Sequence, residues 1–178
     1  MMFAIMLILL IVLLIALSFI WPPDSPWAPQ WQINTENSER VVKFSKITKD
    51  DYLYELGCGT GAFILTAAKI SHCRAFGVEI DPARFLISYI RAKISRQSRN
   101  ITIVRKDFKH IDLSPATVVY MYLIPEAMKK LLPQFKKQLR KGTKIVSYRY
   151  QIPLDPSEKK IHLVKSDSKI LVYQYEVM

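Results

Sequence analysis

At 178 residues the chain has room for one domain with short appendages and not for two. Half of its residues are hydrophobic, and Lys plus Arg outnumber Asp plus Glu by 26 to 15, a formal net charge of +11. Such a field favours anionic partners, lipid headgroups ahead of nucleic acid; two cysteines, one of them inside a glycine turn, make no disulfide framework and fit a reducing compartment.

From Met1 to Trp21 there is no charged residue, and between Phe3 and Ile20 only Ser18 is polar. About 20 such residues, at a rise of roughly 1.5 Å each, cross a hydrocarbon core of about 30 Å. Residues 1–21 therefore predict a transmembrane anchor. A secretory signal peptide is the rival, and Ala16-Leu17-Ser18 offers it a cleavage site, but the basic residues that should precede its apolar run are missing. Trp21, Trp27 and Trp31 follow where indoles favour the membrane interface. Residues 22–33 open with Pro22-Pro23-Asp24-Ser25-Pro26-Trp27-Ala28-Pro29, which cannot hold a regular helix and predicts a semi-rigid spacer. Residues 34–178 are then the folded domain, entered through a helix over 34–45 with Val41, Val42 and Phe44 as core contacts.

Asp51-Tyr52-Leu53-Tyr54-Glu55-Leu56-Gly57-Cys58-Gly59-Thr60-Gly61 organises that domain. It reads as a buried parallel strand, a glycine turn and a helix over 62–70. Glycine takes positive φ freely and lets a ligand lie against the backbone, and the helix aims its unpaired N–H groups at the turn. Gly57, Gly59 and Ala62 fit the dinucleotide fingerprint G-x-G-x-x-G/A. Gly57, Gly59 and Gly61 equally fit the acid-x-G-x-G-x-G turn of S-adenosylmethionine (SAM) enzymes. Glu55 favours the second, because a carboxylate at the ligand end of the strand suits an amino-acid ammonium and repels a pyrophosphate.

A second strand follows in Arg74-Ala75-Phe76-Gly77-Val78-Glu79, and Glu79 lies at the distance where an acid accepts hydrogen bonds from a ribose diol. Asp81-Pro82 is a helix Ncap–N1 pair. An amphipathic helix over 84–99 carries a basic flank of Arg91, Lys93, Arg96 and Arg99. A β-branched strand over 100–105 precedes Asp107, and a near-continuous apolar strand over 116–123 follows. A helix over 126–140 stops at Lys141-Gly142, a fifth strand covers 143–148, and a terminal hairpin turns at Ser166-Asp167-Ser168. The fold class is α/β: a Rossmann-like, mostly parallel sheet with a C-terminal antiparallel hairpin, preceded by one transmembrane helix.

Tyr54-Glu55-Leu56-Gly57-Cys58-Gly59-Thr60-Gly61 with Gly77-Val78-Glu79-Ile80-Asp81 resembles the class I SAM-dependent methyltransferases. Val118-Val119-Tyr120-Met121-Tyr122-Leu123-Ile124-Pro125-Glu126 and Arg140-Lys141-Gly142-Thr143-Lys144-Ile145-Val146-Ser147 narrow the likeness. They resemble bacterial-type members of the membrane-anchored family that includes the mitochondrial lysine methyltransferases of the ATP synthase c subunit and the adenine nucleotide translocase. The resemblance implies SAM as cofactor and the lysine amine of a protein as acceptor, with a membrane protein in reach of the anchored domain. It implies that Asp107 accepts a hydrogen bond from the adenine amino group. Tyr122 and the loop to Pro125 would border the methyl group, where related amine enzymes carry Asn/Asp-Pro-Pro. Pro26-Trp27-Ala28-Pro29-Gln30 is similar to a cofactor-side segment of the family, with Gln30 in place of its hydroxyl. Cofactor residues are thus expected at Glu55, Gly57, Gly59, Gly61, Glu79 and Asp107, catalytic residues at Tyr122 and Pro125, and no metal. Because SAM is cytosolic, a single-pass protein with a cytoplasmic catalytic domain is expected. An NAD-dependent oxidoreductase and a non-catalytic basic membrane-surface module are the alternatives; His110 and Asp112 make a His–Asp pair without a nucleophile, and His72-Cys73 is a loop rather than a metal pair.

Overall fold

The computed structural model describes residues 2–20 and 32–178, with side chains of the first helix described at 2, 3 and 5–13. The proline-rich spacer, Trp21, Trp27, Trp31 and the Pro26–Gln30 segment lie outside the described residues. The first helix, α1, covers Met2–Ile20. Among the described residues no helix is long and apolar enough to cross a membrane. This corrects the transmembrane anchor over 1–21 and what was built upon it: the membrane-anchored character, the single-pass placement with a cytoplasmic domain and the lipid-bilayer contact.

The domain proper begins with α2 (Thr35–Ser45), which Asn34 caps by accepting the Asn37 N–H at 2.8 Å. There follow β1 (Tyr52–Leu56), α3 (Ala62–Ser71), β2 (Arg74–Glu79), α4 (Pro82–Ile94), β3 (Ile101–Arg105), β4 (Val118–Met121), α5 (Pro125–Gln138), β5 (Lys144–Tyr148), β6 (Ile161–Asp167) and β7 (Val172–Val177). The strands form one sheet in the order β3-β2-β1-β4-β5-β7-β6. The first five are parallel, and β7 runs antiparallel between β5 and β6. The Rossmann-like sheet and its terminal hairpin are therefore as expected, and only the preceding transmembrane helix is not.

Alternation along β1 assigns the two faces. Leu53 joins Val41, Phe63, Ile64, Ala67, Tyr120 and Val146 in a cluster under α2 and α3. Tyr54 and Leu56 join Met121, Met128, Leu131 and Phe135 under α5. Glu55 shares the first face, so its carboxylate enters the α3 side of the sheet. Gly77 stands opposite it on β2 and Tyr120 on β4. A Cβ at Gly77 would lie 2.7 Å from Ile103 Cδ1 and 3.0 Å from Ile64 Cδ1. The missing side chain is what lets α3 and β3 close over β2.

Two boundaries differ from the sequence pattern. Helix α4 ends at Ile94 rather than 99, because Ser95 turns extended and the chain closes into turns, with Ser98 N–H donating to the Ser95 carbonyl and Asn100 N–H to that of Gln97. Arg96 and Arg99 accordingly leave the helical basic flank. In the hairpin, β6 continues to Asp167 and the turn falls later, with Leu171 at φ 51° and a register shift between Leu163 and Lys165.

At the end of the sheet away from the glycine turn, Asp51 ties the strands together. Its carboxylate accepts from Thr48 N–H and Thr117 Oγ1, both at 2.8 Å, while Lys144 Nζ approaches to 3.7 Å. We predict that Asp51→Ala costs about 2 kcal/mol in urea unfolding, because a nearly buried acceptor leaves its donors unpaired. SAM affinity should be unchanged, since the residue enters β1 at the end far from the turn. A change in affinity without a loss of stability would contradict this role.

Candidate functional site

The turn after β1 is a run of left-handed backbone: Gly57, Gly59 and Gly61 have φ of 79°, 53° and 83°. Only glycine takes such a sequence without strain. At Gly61, which also caps α3, a Cβ would sit 3.3 Å from Ser88 Cβ on α4. The turn is pinned to β2. Gly57 and Cys58 N–H groups both donate to the Val78 carbonyl at 2.9 Å. Glu79 accepts from Gly59 N–H with Oε2 at 2.7 Å and from Asp81 N–H with Oε1 at 2.9 Å. Arg91 of α4 closes the ring by donating to the Thr60 carbonyl at 2.7 Å. Asp81 caps α4 as the sequence implied, accepting from Arg84 N–H.

Glu55 stands in contrast to Glu79. It is 5% exposed, and its Oε2 has no hydrogen-bond partner among the described residues. Burial pushes its carboxyl well above the ordinary range; the Ile64 backbone offsets part of this, and the Glu79 charge adds to it. Beside it, the Tyr120 ring stacks on Phe63 with centroids 3.5 Å apart, and its hydroxyl also lacks a partner among the described residues. Both line a cleft of about 40 Å³ together with Gln32, Gly57, Phe63 and Tyr122. That holds about three water-sized groups, comparable to the ammonium and carboxylate head of an amino acid. Cys58 also lines the cleft, and burial pushes its thiol well above its usual value, so it stays unionised.

The expected residues divide into three sets. Glu55, Gly57, Gly59 and Tyr122 line the cleft. Gly61 and Glu79 shape the turn beside it. Asp107 and Pro125 are placed by their own local turns. Asp107 caps a 3-10 turn over Phe108–His110, accepting from Lys109 N–H, and pairs with the Lys109 ammonium at 3.2 Å. Pro125 opens α5 after Ile124, with its missing N–H where none is needed. Tyr122 packs edge-on to Tyr148 at 4.9 Å and lies 6.5 Å from Tyr150, and Arg149 Nη1 donates to its hydroxyl at 3.2 Å. Tyr148 and Tyr150 thus meet the loop after β4. The Asp112 carboxylate is engaged by the Ser114 N–H and hydroxyl.

Sequence reasoning missed Tyr120 and Phe63 as parts of the cleft. A signal existed: Tyr120 lies two residues before Tyr122 in the strand predicted over 116–123, hence on the same face of it. The register that sets it beside Glu55 was not in the sequence pattern.

A pyrophosphate fits this turn poorly. The Gly57, Cys58, Gly59 and Gly61 N–H groups already have acceptors within the protein, and two carboxylates flank the space a diphosphate would need. The comparisons agree. The ANTKMT methyltransferase domain matches residues 55–159. A protein-lysine N-methyltransferase of Saccharolobus islandicus is 36% identical over 114 residues, 64% of this chain and 71% of the relative. The adenine nucleotide translocase lysine N-methyltransferase of Mus musculus is 26% identical over 101 residues, and the match spans 44% of its length. The crystal structure of an RNA methyltransferase from Salinibacter ruber in complex with S-adenosyl-L-homocysteine aligns with a TM-score of 0.73 at 28% identity, covering 83% of this chain and 94% of that one. These findings overturn the oxidoreductase and the non-catalytic module alike. The chain belongs to the ANTKMT methyltransferase domain family and is a SAM-dependent methyltransferase.

Proposed function

We propose that the enzyme methylates the side-chain amine of lysine in a protein acceptor. The observation that carries the reading is the unpartnered Oε2 of Glu55 in a cleft sized for an amino-acid head, next to the tyrosine-lined mouth formed by Tyr122, Tyr148 and Tyr150. The likeness to a named protein-lysine N-methyltransferase supports it. The residues fit SAM: two buried polar groups lack partners where an ammonium and a carboxylate would enter. When bound, SAM supplies a methyl group on a sulfonium, and S-adenosyl-L-homocysteine is what remains after the methyl leaves.

In this assignment Glu55 receives the ammonium. Gly57, Gly59 and Gly61 keep the turn flat enough for close approach. Glu79 receives the ribose diol with the lone pairs left over from its two backbone bonds, since a carboxylate has about four acceptor sites. Asp107 receives the adenine amino group with its remaining acceptor capacity. Tyr122 and the Leu123-Ile124-Pro125 loop guide the acceptor nitrogen and exclude water. The nitrogen must arrive neutral, and a low-dielectric mouth lowers its pKa. The new N–C bond forms as the S–C bond breaks, and the amine's proton passes to solvent.

Three outcomes test this. Incubation of the full chain with methyl-tritiated SAM and a protein extract should yield label recovered as methyl-lysine after acid hydrolysis; label confined to lipid or small molecules would overturn the acceptor class. Glu79→Ala should weaken SAM binding by about tenfold or more, as expected for lost hydrogen bonds to a charged group, and unchanged calorimetric affinity would remove the ribose assignment.

Glu55 gives a pH signature. Its folded pKa lies above the ordinary value of 4.5, so between the two the folded state holds more protons than the unfolded one. The ligand-free enzyme therefore loses stability as pH rises through that window, and the contribution is complete only below the ordinary carboxyl value. An arriving ammonium favours the ionised form, so SAM binding should release a proton. Urea unfolding across pH, with calorimetry in two buffers of different ionisation enthalpy, should show both effects in the native chain and neither in Glu55→Gln.

A further inference from the structure

The amino-acid end of SAM carries two opposite charges, and Glu55 can serve only the positive one. Among the described residues no Lys or Arg lines the cleft. A carboxylate brought into it must find neutral donors. Tyr120 is the buried candidate. It is fully buried, yet its hydroxyl has no partner, and the strand register sets it directly beside Glu55 on the neighbouring strand. Its ring is fixed by stacking on Phe63, the second residue of α3, so the hydroxyl cannot swing to solvent. A buried hydroxyl without a hydrogen bond is destabilising, and a ligand that satisfies it recovers that cost.

We propose that Tyr120 is a specificity residue of the cofactor site, its hydroxyl donating to the α-carboxylate of SAM while Glu55 receives the ammonium. The inference rests on the cofactor placement under Proposed function and extends it to a residue outside the glycine motif. The two orphaned groups form a split receptor: an acceptor from β1 and a donor from β4. The α3 N-terminus lies alongside and favours negative charge at the donor end. Gln32 lines the same cleft and offers a second neutral donor. A ligand with only the ammonium leaves Tyr120 unsatisfied, and one with only the carboxylate leaves Glu55 so. The pair thereby distinguishes an intact amino-acid head from its fragments.

The test uses calorimetry on the full chain with SAM and with decarboxylated SAM, which keeps the adenine, ribose and ammonium. Tyr120→Phe keeps the ring and removes only the oxygen. It should weaken SAM about tenfold, the value of one hydrogen bond to a charged group, and leave decarboxylated SAM within about twofold, where that bond is absent. Its ligand-free melting temperature should equal or exceed that of the native chain, because the oxygen it loses is unpaired. Equal weakening of both ligands, or no weakening of SAM, would overturn the proposal while leaving the cofactor site intact. Failure of the unaltered chain to bind SAM would overturn the cofactor placement as well.

Discussion

The grip of Glu79 on the glycine turn is the contact on which the site depends. One carboxylate at the end of β2 accepts the Gly59 N–H on one side and the Asp81 N–H on the other. It therefore sets both the path of the turn and the start of α4. The Val78 carbonyl, one residue earlier, accepts two further N–H groups from the same turn. With these donors consumed internally, the turn is not a phosphate cradle. It is a rigid wall, and what it shapes lies on the side facing Glu55.

Glu55 and Glu79 occupy the same face of adjacent strands and differ in satisfaction. Glu79 accepts two backbone bonds; Glu55 has an oxygen with none. Burying a carboxyl in this way is unfavourable to the ligand-free fold. Its persistence is intelligible if the cost is offset when a cation arrives. Tyr120 tells the same story with a neutral donor. Stability comes from the apolar clusters under α3 and α5, the first of which includes Tyr120 and Phe63 themselves, and from the Asp51 network that joins β1 to β4 and β5 at the opposite end.

The proposed acceptor mouth is built from a different physical material. Tyr122, Tyr148 and Tyr150 come from the loop ends of β4 and β5 and pack against one another, with Arg149 held in left-handed backbone between the last two. Asn37 of α2 donates to the Tyr148 hydroxyl at 3.1 Å, so the N-terminal helix of the domain helps to hold this rim. Aromatic walls with few charges suit an amine that must shed its proton before it reacts.

Features governed by local backbone chemistry were legible in the chain itself. Three glycines at alternate positions demand positive φ, Asp81-Pro82 starts a helix, and period-two alternation in β1 sends Glu55 and Tyr54 to opposite faces. Those rules act over a few residues and need no partner. What required the folded molecule was register and neighbourhood. Tyr120 meets Glu55 because β4 pairs with β1 at one alignment, and a slip of one residue would have faced it toward α5. Asp107 turned its carboxylate into its own loop. The N-terminal apolar run read as a span by composition, whereas among the described residues no helix is long and apolar enough to cross a membrane. Composition counts residues, but only tertiary structure decides which of them stand together.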